Sequence, residues 1–183
     1  QAPFQLRAAA EAMEIERVIA WNRSPERLGA LAEAAEALSL PFAAVPLDEM
    51  RGADVIITIT SSFAPILMGS HVAPGAHVAC MGTDTIGKQE VEAALLAKAR
   101  VFTDKPSQSR SLGEAQHAVA AGLIAPDALT PLGAVIGGSV PGRASADEIT
   151  LFDGTGVGLQ DLAVAAALVE TAKARGMAIE VAV

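Results

Sequence analysis

The sequence predicts an α/β fold with a doubly wound, mostly parallel sheet, and three observations carry that expectation. Short apolar runs recur along the chain, at RVIAW 17–21, DVIITIT 54–60, HVAC 77–80 and RVFT 100–103. They are apolar throughout rather than alternating, the pattern of strands buried on both faces. Alanine-rich stretches of helical length separate them, as strand–helix–strand crossovers require. With 183 residues, 51% of them hydrophobic, the chain can bury one sizeable core.

Gln1 to Met13 reads as a helix with Pro3 in its first turn, where a missing amide hydrogen costs little. Because the chain opens directly into this helix, residues are expected upstream, and the sheet is expected to be truncated at its N-terminal side. Strand 17–21 leads through Asn22, Arg23, Ser24 and Pro25 into a helix over 26–37, with Ser24 as its predicted N-cap. A strand at 42–45, a helical turn at 47–51 and the β-branched strand at 54–60 follow. Turns are expected at Pro65 to Gly69 and at Pro74-Gly75, then strand 77–81 with Gly82 as a sharp turn at its end. Helices are predicted over 88–98 and 107–121, the second closed by Gly122, with strand 100–103 between them. After Leu132 glycine and proline loosen the pattern, before a strand near 148–153, a glycine-rich turn and a helix over 159–175. The predicted organisation is a nucleotide-binding unit over 1–135 and a returning C-terminal segment over 136–183.

Thirteen basic against 21 acidic residues, a net charge of −8, exclude an electrostatic case for nucleic acid or an anionic membrane. The longest apolar stretch, 161–169, is too short to span a bilayer. Cys80 is the single cysteine, so no intramolecular disulfide forms, and a reducing, cytoplasmic location is expected. Its place in an apolar strand marks it as a small buried hydrophobe. His71, His77 and His117 lack metal-ligand spacing, and no nucleophile elbow occurs, so neither a metal nor a hydrolase is expected. Asp147, Glu148, Asp153 and Asp161 read as surface and helix-dipole charges.

Ligands of open α/β sheets bind beyond the carboxyl ends of the strands. Asp84 falls just past strand 77–81 and is the first candidate for a reacting group, with Lys88 placed to pair with it or to open the next helix. Asn22, Arg23 and Ser24 end the strand that meets the adenosine ribose in such folds. An arginine fork with hydroxyl and amide neighbours suits a 2′-phosphate, which favours NADP(H) while leaving NAD(H) possible. Thr58, Thr60 and Ser61 end a central strand, near where a nicotinamide would lie.

Three blocks carry a resemblance: WNRSPER at 21–27, HVACMGTDTIGKQEVE at 77–92 and EITLFDGTGVGLQDLAVA at 148–165. The chain resembles the ornithine cyclodeaminase/mu-crystallin family from Gln1 to about Gly176, with Gln1-Ala2 similar to the end of that family's G-x-G-x-Q-A cofactor loop. The resemblance implies a Rossmann-type domain paired with a substrate and dimerisation domain, usually in a homodimer, and NAD(P)(H) chemistry on amino or imino acids. It assigns Asp84 to proton transfer and substrate-amine binding. Cofactor contacts fall to Gln1, Ala2, Asn22, Arg23, Ser24, Thr58, Thr60, Ser61, Met81, Gly82 and Thr155. The activity it implies first is ornithine cyclodeamination, L-ornithine to L-proline plus ammonia. Reduction of pyrroline-2-carboxylate or iminosuccinate, amino-acid dehydrogenation, and non-catalytic NADPH binding of the crystallin type are the alternatives.

Overall fold

A computed structural model describes residues 1–179 and 181. The strands fall into three arrays, each wholly parallel. β1 (Val18–Ala20) pairs with β2 (Phe42–Ala44), and α1 (Ala2–Ala12) and α2 (Gly29–Ala37) cover this pair. A small core joins Leu6, Ala34 and Ala35 to Val18, Leu31 and Phe42. The main sheet has the order β3-β5-β9-β7-β8, from β3 (Val55–Thr58), β5 (His77–Cys80), β9 (Thr150–Asp153), β7 (Arg100–Thr103) and β8 (Thr130–Pro131). Its apolar rungs, with Val78, Leu151 and Val101 at the centre, join Leu67, Leu95 and Leu96 in the principal core. β4 (Phe63–Leu67) and β6 (Gln89–Val91) form a third pair.

The chain thus has the α/β, Rossmann-like architecture read from the strand pattern. Strand β9, from the returning C-terminal segment, occupies the sheet interior between β5 and β7. The edges of β1 and β3 are not paired with each other. A cleft of about 960 Å³ runs between them, walled by Val18 to Trp21 on one side and Val55 to Thr60 on the other. This open edge explains why only Ile56 of β3 is buried, where the apolar run 54–60 predicts burial on both faces.

Three local expectations are corrected. Pro65 lies within β4 rather than in a turn; the β4–β6 register shifts between its ends, and such irregular pairing tolerates a residue without an amide hydrogen. The helix expected over 88–98 shrinks to α3 (Ala93–Leu96), because Glu90 and Val91 donate their backbone N–H groups to the Glu114 carboxylate instead of to a helical ladder. The helix expected over 107–121 breaks into α4 (Pro106–Ser109) and α5 (Gln116–Ala120). At the break Gly113 packs so tightly that a Cβ would lie 2.7 Å from the Asp153 carboxylate and from Ser109 Cα. A short helix, α6 (Leu132–Ile136), follows β8, and the chain ends in α7 (Gly158–Ala174), none of whose residues is buried. Among the described residues no helix is long and apolar enough to cross a membrane.

Candidate functional site

One rung of the main sheet organises the site. Thr58, Cys80, Asp153 and Thr103 stand side by side as the last residues of β3, β5, β9 and β7. The loops that leave this rung carry Thr60 and Ser61, Met81 to Asp84, Gly154 and Thr155, and Asp104. The parallel order of the strands therefore gathers these candidates on one edge.

The cleft beside β3 brings together Gln1, Ala2, Asn22, Thr58 and Thr60. Asn22 Oδ1 accepts the Ser24 amide at 2.8 Å, so the turn is built by Asn22, and Ser24, expected as the helix cap, makes no side-chain cap. Asn22 and Ser24 are half-buried and Arg23 is exposed; of the three only Asn22 lines the cleft. Thr155, at the opposite side of the edge, donates to Asp104 at 2.7 Å, and Asp104 also accepts the Gly156 amide at 2.8 Å. Ser61 is exposed and lies outside the cleft lining.

Between these two sides stand carboxylates that the sequence reading passed over. Glu90, 1% exposed, accepts the Thr58 hydroxyl at 2.9 Å, the Gly82 amide at 2.9 Å and the Thr60 amide. It therefore ties the end of β3 to the end of β5. Gly82, expected as a sharp turn, is needed for close approach: a Cβ there would come 2.3 Å from Thr60 O and 2.6 Å from the Glu90 carboxylate. Glu114, equally buried, accepts the Thr83 hydroxyl and the amides of Glu90 and Val91. Burial raises its pKa to about 7, against the opposing pull of those donors. Asp153, read above as a surface charge, is fully buried at the sheet centre; burial raises its pKa to about 6, although Ser109 and the Ala115 amide donate to it. Its Oδ1 has no hydrogen-bond partner among the described residues. Cys80 beside them is completely buried, and burial followed by the surrounding carboxylates pushes its thiol pKa well up, as suits an inert core residue.

Asp84 itself is exposed. It pairs with Lys88 Nζ at 2.7 Å and accepts the Thr85 hydroxyl, and these hydrogen bonds hold its carboxyl below the usual range. Lys88 does not open a helix; its ammonium bridges Asp84 and the Gly82 carbonyl. Among the described residues no group of three His, Cys, Asp or Glu side chains is placed to hold a metal ion.

A parallel sheet whose carboxyl edge carries an acid, several hydroxyls and a donor-rich turn defines a Rossmann-like domain with a polar ligand edge. The chain belongs to the ornithine cyclodeaminase/mu-crystallin family, whose model matches residues 1–176. It is 59% identical over 182 residues to an iminosuccinate reductase of Paracoccus denitrificans, covering 99% of this chain and 57% of that protein. The structure of the Paracoccus denitrificans iminosuccinate reductase in complex with NAD+ superimposes with a TM-score of 0.94 at 58% identity, over 99% of this chain and 56% of the other. An ornithine cyclodeaminase of Agrobacterium fabrum is 31% identical over 166 residues, 88% of this chain and 45% of that enzyme. The chain thus spans about half the length of the relatives it matches.

Proposed function

We propose that this chain is the cofactor-binding part of a nicotinamide-dependent imine reductase that converts a small imino acid, iminosuccinate in the first instance, into the amino acid. One observation carries the reading: identity to an iminosuccinate reductase is 59% over nearly the whole chain, against 31% to an ornithine cyclodeaminase. The ornithine activity that the resemblance put first therefore yields to its imine-reducing alternative.

The residues present suit a dinucleotide. Gln1, Ala2, Asn22, Thr58 and Thr60 line one cleft, Arg23 and Ser24 follow Asn22 in the same turn, and Met81, Gly82 and Thr155 lie in the loops that leave β5 and β9. Asn22, Arg23 and Ser24 themselves include no acid, so Arg23 keeps the reading towards NADP(H), although Glu26 follows in the next turn; the NAD+ in the Paracoccus enzyme supports NAD(H) equally. When bound, the nicotinamide supplies or accepts the hydride. Asp84, held anionic by Lys88, would grip the protonated imine nitrogen and keep its carbon electrophilic. The cleft between β1 and β3, which are not paired with each other, leaves a place for one further strand, which we assign to upstream sequence. We place the remainder of the full-length protein on α7, where Leu159, Leu162 and Leu168 are 63–72% exposed, and expect a homodimer there.

The test uses the full-length protein with NADH or NADPH and iminosuccinate formed in situ from oxaloacetate and ammonia. Oxidation of the reduced cofactor with aspartate formation supports the reading. Ammonia release from L-ornithine without imine reduction, or cofactor binding with no turnover on either substrate, overturns it.

A further inference from the structure

Residues 83–88 of the loop that carries Asp84 are anchored by one short segment, Glu114 to His117, leading into α5, while Glu90 holds Gly82 before them. The Gln116 side chain is 9% exposed and meets the loop on both its polar atoms. Its Oε1 accepts the Gly87 amide at 2.7 Å, and its Nε2 donates to Thr85 O at 3.3 Å and Lys88 O at 3.2 Å, with Gly113 O at 2.9 Å anchoring the amide from its own side. His117 Nε2 lies 3.0 Å from the same Lys88 carbonyl. Below them Glu114 holds Thr83, the residue before Asp84, and the amides of Glu90 and Val91 beyond the loop.

These contacts fix what the loop cannot fix alone. Asp84, Thr85 and Ile86 are exposed, and the Asp84–Lys88 pair is local, with the Asp84 side chain 62% exposed and that of Lys88 half-buried. A surface pair of this kind contributes little to ordering. The Gln116 amide, in contrast, closes the loop at 85, 87 and 88 by bonds to backbone, and buried, fully satisfied networks of this sort define a single geometry. Gly87, with φ of +87° in the left-handed region, turns its N–H into the Gln116 acceptor.

We propose that Gln116, seated on Glu114, is a positioning residue that sets where Lys88 and Asp84 stand relative to the strand-end rung. The inference rests on the role given to Asp84 above. It acts on reaction geometry more than on affinity, because neither side chain reaches the cleft beside β3.

In the full-length enzyme, Gln116→Met keeps the volume and removes every loop bond, while Gln116→Glu retains the acceptor for Gly87 and loses the donors. We expect Gln116→Met to lower kcat by about ten- to a hundredfold, the range for ångström-scale misplacement of a reacting group, with cofactor Kd within about twofold of wild type. Gln116→Glu should not rescue kcat, because its second carboxylate oxygen would face the Thr85, Lys88 and Gly113 carbonyls. Hydrogen exchange at residues 83–88 should quicken in Gln116→Met while the strands β5 and β9 keep their protection. A kcat unchanged in Gln116→Met, a parallel loss of cofactor affinity, or unaltered exchange in the loop would each overturn the proposal. Wild-type enzyme that reduces no imine overturns the proposed function instead, and the two failures are separable because the exchange measurement needs no substrate.

Discussion

Replacing Glu90 by glutamine tests the joint between β3 and β5. The wild-type carboxylate only accepts: Oε2 takes the Thr58 hydroxyl and the Gly82 amide, and Oε1 takes the Thr60 amide. A glutamine oxygen placed at Oε2 keeps two of these bonds, and its NH2 group then faces the Thr60 N–H, donor against donor. One hydrogen bond to a charged group, worth about 1.5–3 kcal/mol, is lost, while the amide of the exposed Thr60 can turn to water. Removing the charge also relieves repulsion on Glu114, but burial outranks Glu90 among the causes of that group's raised pKa, so the offset is small. A net loss of about 1.5–3 kcal/mol is expected, a large part of the roughly 5–15 kcal/mol that stabilises a typical domain. Glu90→Ala, which abandons all three donors and leaves a cavity, should lose more. Urea unfolding of the full-length protein, followed by Trp21 fluorescence beside the cleft, measures both. A change below about 0.5 kcal/mol for Glu90→Gln, the range of an ordinary surface substitution, would refute the argument.

Three further outcomes are expected. Asp84→Asn should abolish turnover and leave cofactor affinity intact; normal turnover, or loss of cofactor binding, would remove Asp84 from its role. Arg23→Ala should weaken NADPH binding by about 1.5–3 kcal/mol, the worth of a charged hydrogen bond, with little effect on NADH, and titration with both cofactors decides whether the guanidinium reads a 2′-phosphate. Glu114 has a folded pKa of about 7 against an ordinary 4.5, so its contribution to stability is complete below pH 4.5 and is lost as pH rises through 7. That difference is on the order of 3 kcal/mol, and thermal unfolding at pH 5 and pH 8 should show wild type losing ground to Glu114→Gln across the interval; parallel profiles would contradict it.

The correspondence between sequence and structure follows the range of the forces involved. Strands β1, β2, β5 and β7 were legible because each is a contiguous apolar run, and α1, α2 and α7 because their alanine-rich stretches have helical length. The Asp84 loop was legible because glycine and a charged residue directly follow a buried strand. Strand β6 was not, since Lys88 to Lys98 has a composition equally good for a helix; what makes Gln89 to Val91 extended is pairing with β4 and the Glu114 carboxylate, both remote in sequence.

By itself, then, the amino-acid sequence determined the class of fold, the strand after which Asp84 lies and the donor-rich turn at 22–24, all properties of contiguous residues. Only the tertiary structure decided that β9 enters the sheet between β5 and β7, which buries Asp153 and completes the rung Thr58–Cys80–Asp153–Thr103. It alone also decided that Glu90 and Glu114, which read locally as solvated helix residues, are buried acceptors for the loops of the site. The physical reason is that a carboxylate's preference for water is overcome only where several donors converge on it. That convergence comes from strands and loops far apart in sequence, and no local pattern records it.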